Sequence, residues 1–145
     1  MTKIALAKFL VYCGIIPFLV CAFLGIYQDT IFEINLKRAL LQYGAVIASF
    51  IAGTHWGMFL SKKLEINLFL HSNFSALIAW ISIMVSEPIN HYLLIAVFIY
   101  LLIIDKKILN AGFIENWYFS IRVNASIIVV LSLLISLLSV FSILG

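Results

Sequence analysis

The chain has 145 residues, 65% of them hydrophobic and only 10% charged, with a net charge of +3. An ordinary soluble domain is nearer half apolar and a quarter charged, and a soluble fold of this size has too little interior to hide so much apolar surface. The basic residues stand in short pairs between apolar runs, the pattern of topology signals; no basic patch tracks a phosphate backbone, which argues against a nucleic-acid partner and for the lipid bilayer.

In lipid the backbone must satisfy its own hydrogen bonds, which leaves helices or a closed barrel. The apolar runs here are long and do not alternate with period two, so a barrel is excluded. The fold class expected is all-α: a polytopic transmembrane helix bundle of about five spans, forming one integral membrane domain over 1–145. The first span is placed at 9–27. Its N-terminus, Met1 to Lys8, is charged like the start of a signal peptide. The apolar run continues through Pro17 to Tyr27 with no small-x-small cleavage site, so a retained helix is expected. Gly14 and Pro17 are expected to bend it. Cys13 and Cys21 stand about 12 Å apart on such a helix, too far for a disulfide, and read as packing residues.

The second span, 37–60, follows Lys37-Arg38. Ala45, Ser49, Gly53 and Gly57 recur every four residues in it, and Gly44, Ala48 and Ala52 form a second small row alongside. Stripes of this kind let another helix approach closely, so this helix is expected at the centre of the bundle. A short loop at 61–65 leads to a third span at 68–85. Ser86-Glu87-Pro88 makes a turn, with Pro88 suited to open the next helix. The fourth span, 89–104, is the weakest, reaching only about 24 Å before Asp105-Lys106-Lys107 ends it. Ile108 to Ser120 is mixed. Gly112 is expected to break it, and Trp117 and Tyr118 read as interface anchors. The last span is 121–144.

Lys3, Lys8, Lys62, Lys63, Lys106, Lys107 and Arg122 fall on one side of this scheme, Lys37 and Arg38 on the other. Seven against two puts the N-terminus inside and the C-terminus outside. Without a crossing by the fourth span the count would be four against five, and the bias would vanish. No internal repeat is visible, and an odd span number argues against the two-fold duplication common in secondary transporters.

His55 lies inside the second span, next to Trp56 and on the side away from Gly53 and Gly57. An ionisable group within a span is a site by default. Unpaired in lipid it would cost a few kcal/mol, so it needs a partner. Asn73 or Ser75 on the third span, or Asn124 or Ser126 on the fifth, lie at matching depth. His71 lies at similar depth, and the pair would share a metal or a proton only if their rings converge; inter-helix bonding is the favoured role. Ser132, Ser136 and Ser139 line one face of the last span. A polar pore there is disfavoured, since no intramembrane carboxylate accompanies them. Asp105 and Arg122 flank a loop, either paired or separately solvated. No nucleophile–base pair, phosphate-cradling loop or cysteine metal cluster appears. No catalytic, cofactor-binding or metal set is therefore expected. The candidate site residues are His55, Trp56, Ser49, Asn73 and Asn124, with Gly44, Ala45, Gly53 and Gly57 for helix packing. A structural, assembly or interaction partner of other inner-membrane proteins is the leading expectation. The alternative is a small transporter or channel subunit with a polar or proton-handling site near His55.

Tyr12-Cys13-Gly14-Ile15-Ile16-Pro17-Phe18, Tyr43 to Phe50, Gly53-Thr54-His55-Trp56-Gly57, Ala79-Trp80 and Asp105-Lys106 together resemble domain-of-unknown-function family 3429, which also includes animal transmembrane protein 69, a mitochondrial relative. The resemblance covers nearly the whole chain, and His55-Trp56-Gly57 is its most specific part; His71 is outside the pattern. It implies a multi-helix inner-membrane protein and no particular activity. The Ile-, Asn- and Lys-rich composition suggests an AT-rich bacterial genome, and with it the bacterial cytoplasmic membrane.

Overall fold

A computed structural model describes residues 2–61 and 67–144. Of the expected loop at 61–65, Lys62 to Glu65 lie outside the described residues. Helix α1, Lys3–Tyr27, starts where the Thr2 hydroxyl accepts the Ala5 N–H, a side-chain N-cap. Pro17 lies inside it, and close by, the Tyr43 hydroxyl donates to the Gly14 carbonyl at 3.0 Å. The connection to α2 is a small antiparallel ladder, β1 (Thr30–Ile31) against β2 (Ile34–Asn35). It reverses at Phe32 and Glu33, whose φ angles of 47° and 67° are the left-handed pair that a primed hairpin turn requires. Asn35 Oδ1 then accepts the Arg38 N–H and opens α2, Leu36–Ser61. Helix α3, Leu68–Ser82, is capped by Asn67; α4 is Ile89–Asn110; α5 is Asn116–Leu144. Gly112, at φ +76°, supplies the left-handed residue that separates the last two.

Four boundaries differ from the sequence reading. α1 begins at Lys3 rather than at 9. α4 does not stop at Ile104 but runs to Asn110, so its 22 residues reach about 33 Å. Asp105 does not end the helix because its charge is paired inside the bundle, while Lys106 and Lys107 lie exposed. α3 ends at Ser82 rather than 85, where the Ser82 hydroxyl turns back to the Ala79 carbonyl. At 15 residues it, not α4, is the shortest helix described. α5 begins at Asn116, taking in Trp117 and Tyr118.

α1, α2 and α5 are each long and apolar enough to cross a membrane. The outer surface is apolar too: Phe9, Ile16, Phe23, Val46, Phe50, Leu131 and Leu138 are all exposed. Water solvates such a perimeter poorly and acyl chains solvate it well, which fits a membrane protein.

The core is built around α2, which packs against all four other helices. Phe18, Leu40, Ala48, Ala52, Leu94, Phe98, Leu101 and Leu133 are its centre. Close approach is made by the row Gly44, Ala48, Ala52, with Ala45 also buried. A Cβ at Gly44 would stand 2.6 Å from Leu94 Cδ2. The row expected to lead, Ser49, Gly53 and Gly57, instead faces outward, and a Cβ at Gly53 or Gly57 meets nothing within 4 Å. Helical periodicity explains the exchange. The two rows lie side by side, and the inward one meets Leu94 and Phe18 at Gly44 and the Ser72 hydroxyl of α3 at the Ala52 carbonyl.

Candidate functional site

α4 and α5 run antiparallel and are tied twice. Near one end His91 Nε2 accepts from the Ser136 hydroxyl at 3.1 Å; near the other Arg122 Nε donates to Asp105 Oδ2 at 3.0 Å. Fourteen residues separate His91 from Asp105, and fourteen separate Arg122 from Ser136. One register therefore makes both ties, about 21 Å apart along the helices.

The second tie is the centre of a buried polar cluster. Asp105 is 1% exposed, and its other oxygen, Oδ1, accepts from His55 Nε2 at 2.9 Å. A carboxylate offers only acceptors, so His55 Nε2 is the donor of this bond. Three helices thus meet at one carboxylate: α2 through His55, α4 through Asp105 and α5 through Arg122. The guanidinium and the carboxylate cancel in charge, which is the condition under which a buried pair is tolerated.

The cluster is not fully satisfied. His55 Nδ1, Arg122 Nη2 and Ser126 Oγ are buried without a hydrogen-bond partner. Such groups are rare in folded proteins and call for an explanation. Arg122 and Ser126 also line a cavity of about 370 Å³ between α1, α2, α4 and α5. Its walls are otherwise apolar, with Phe18, Ile47, Phe98 and Val129 among them, apart from Thr54 and Tyr118 near the Arg122 end. That volume lies within the range of small-molecule sites.

His55 is buried, but its partner is none of the four residues anticipated. Asn73 is exposed and donates to the Phe69 carbonyl of its own helix. Ser75 donates to the His71 carbonyl, Asn124 is exposed, and Ser126 has no partner. Short polar side chains on a helix bond back to its carbonyls, which removes them as partners. Trp56 is 41% exposed and packs at a tilt against Phe69, and Ser49 is exposed. His71 pairs with the Tyr100 hydroxyl rather than with His55. Of the serine face, Ser132 and Ser139 donate to backbone carbonyls and Ser136 joins His91, so the three do not line a pore. Among the described residues no three His, Cys, Asp or Glu side chains gather as a metal set.

Two residues escaped the sequence reading. His91, fully buried with Asn90 Oδ1 accepting from its Nδ1, was passed over although it is a histidine within an apolar run. Asp105, loop-flanking in the sequence reading, is a buried carboxylate inside α4, which removes the argument from a missing carboxylate. The signal was present: Phe98, Leu101, Asp105 and Ile108 keep the 3-4-3 spacing of one helix face, and three of the four are apolar.

The family model described as protein of unknown function (DUF3429) matches residues 4–138 of this chain. No curated protein and no solved structure matches it.

Proposed function

The chain belongs to the DUF3429 family, whose description names no activity, and from the site we propose that it is a small-molecule-binding protein of the membrane. The ligand would sit between α1, α2, α4 and α5. One observation carries this reading: a largely apolar cavity of about 370 Å³ whose lining residues include Arg122 and Ser126, each with a buried polar atom that has no partner behind the wall. A cluster serving only to lock three helices together gains nothing from leaving donors unpaired, since each costs about 1–3 kcal/mol. A ligand toward which the Ser126 hydroxyl or the guanidinium turns would remove that cost. In this reading the protein is one domain with five spans in the bacterial cytoplasmic membrane, N-terminus inside. Buried and paired, Arg122 and Lys37 no longer count as topology signals, and the remaining basic residues divide six against one.

The test is the protein purified in mild detergent, extracted and analysed by mass spectrometry for a stoichiometric small molecule. Ala125 lines the cavity, and Ala125→Phe fills it. The wild type should carry the molecule, and a folded Ala125→Phe variant should not. A wild type free of any bound molecule, or equal loading of the two, overturns the reading.

A role as an assembly partner of other membrane proteins is the second reading. It is favoured by the outward Gly53 and Gly57, whose small surface no helix of this chain occupies. Gly53→Cys, crosslinked in native membranes, should then give a discrete adduct; a monomer alone counts against it.

A further inference from the structure

At the end of the bundle where α2 and α4 begin and α3 stops, a pocket of about 380 Å³ opens between the three helices. It shares no lining residue with the cavity beside Ala125, so what it binds is independent of the reading above. Arg38, Glu87 and Asn90 stand together in its wall. Arg38 supplies a guanidinium and Glu87 a carboxylate. Among the described residues neither makes an ion pair, with the other or with any third charge. Asn90 supplies an amide. It is 6% exposed, and its Oδ1 accepts twice from His91, from the backbone N–H and from Nδ1, at 2.7 Å each. Its Nδ2 donates to no acceptor among the described residues. The fully buried side-chain atoms without a partner belong, among the described residues, to His55, Arg122 and Ser126. Asn90 Nδ2 is not one of them, so it reaches the space of the pocket that Asn90 lines.

We infer that this pocket binds the zwitterionic headgroup of an aminophospholipid, with the phosphate on Arg38 and the Asn90 amide and the ammonium on Glu87. The wall sets the signs. Asn90 Nδ2 and the guanidinium are donors only, and a phosphate supplies acceptors to both. α4 opens at Ile89, between Glu87 and Asn90, with no side-chain cap, so its first N–H groups add positive potential beside the same amide. A ligand that is only an anion would stand near the Glu87 carboxylate with nothing to offset the repulsion. One that is only a cation would face Arg38 and leave the Asn90 donor empty. A ligand carrying both signs satisfies both charges at once. Position selects a lipid over a soluble zwitterion. α2 is long and apolar enough to cross a membrane, and Arg38 lies in its first turn, at headgroup depth. Leu41 and Ile83 form an apolar side of the pocket, and Met84, next along the chain, is 66% exposed, so the acyl chains of a bound lipid continue along apolar surface.

The full-length protein, delipidated in mild detergent, would be titrated with phosphatidylethanolamine and with phosphatidylglycerol of the same acyl chains, each affinity being read by native mass spectrometry. The two lipids share the phosphate and differ in the ammonium. Glu87→Gln should weaken phosphatidylethanolamine about two- to fivefold and leave phosphatidylglycerol no weaker, while Arg38→Gln should weaken both. Both residues are exposed, so both variants should melt like the wild type. In the wild type a carbodiimide, which condenses a carboxylate with an amine, should attach phosphatidylethanolamine to Glu87. Equal effects of Glu87→Gln on the two lipids overturn recognition of the ammonium, and unchanged affinities in Arg38→Gln overturn the phosphate contact. Absence of the Glu87 adduct overturns the site. Soluble glycerophosphoethanolamine binding as tightly as the lipid overturns the assignment to a membrane lipid.

Discussion

Asp105 joins three helices through its two oxygens, and its environment dictates what its loss should do. Both oxygens are engaged, one by His55 and one by Arg122. Asp105→Leu leaves Arg122, 7% exposed, as a buried cation with no counter-charge, at a cost of about 3–5 kcal/mol. Adding Arg122→Met to that variant removes the stranded charge as well. The double variant should therefore be more stable than Asp105→Leu alone, measured by thermal unfolding in one detergent. Destabilisation that merely adds would show that the pair does not act as a unit. His55 behaves differently, because its bond to Asp105 is a single donation. His55→Gln retains a donor and should melt near the wild type. His55→Leu leaves Oδ1 without its donor and should lose about 1–3 kcal/mol. Equal melting of the Gln and Leu variants would mean that the bond contributes nothing.

At the scale of the helices, the central place of α2 was legible in its two rows of small residues, but which row faces inward was not. Gly44, Ala48 and Ala52 differ from Ser49, Gly53 and Gly57 by one step around the helix, and both rows fit the same motif. The inward row is met by Leu94, fifty residues away, and by Ser72 on α3, contacts that no local pattern reports. The exposed row moves the packing prediction to Gly44. Gly44→Leu must displace Leu94, since even a Cβ there stands 2.6 Å from Leu94 Cδ2, and should destabilise the bundle by about 1–3 kcal/mol. Gly53→Leu enters open space and should leave the melting temperature unchanged when the protein is monodisperse. The opposite order of the two variants would contradict the helix orientation. The candidate site was half legible for a related reason. His55 declared itself as an ionisable residue in a span. Asp105 did not, because a charge followed by two lysines reads as a helix end until a partner from α5 is known to neutralise it. Spans of helix were therefore readable to within a few residues where apolar runs ended in Gly, Asn or Pro, and misjudged where a buried ion pair let a helix continue.

For the molecule as a whole, the two ties between α4 and α5 bear on topology. The His91–Ser136 and Asp105–Arg122 contacts hold the helices antiparallel over about 21 Å, most of the roughly 30 Å of a hydrocarbon core. If α5 crosses, a helix strapped to it over that length crosses as well, in the opposite sense. α3, with 15 residues reaching about 23 Å, is then the short element. Its packing against α2 on one side and α4 on the other supplies the return between them, and Trp80 and Met84 at its far end are exposed to whatever surrounds that end. Five crossings place Lys106 and Lys107 on the same side as the N-terminus and the C-terminus opposite. Alkaline phosphatase fused after Lys107 should be inactive and the same enzyme fused after Gly145 active, because it folds only on the outer side. If α3 instead lay flat along the interface, α4 would cross in the reverse sense, and the two fusions would exchange activities while the α4–α5 ties stayed intact. The pair of fusions therefore separates a five-span bundle from one whose third helix does not cross, and activity after Lys107 would exclude the five-span arrangement.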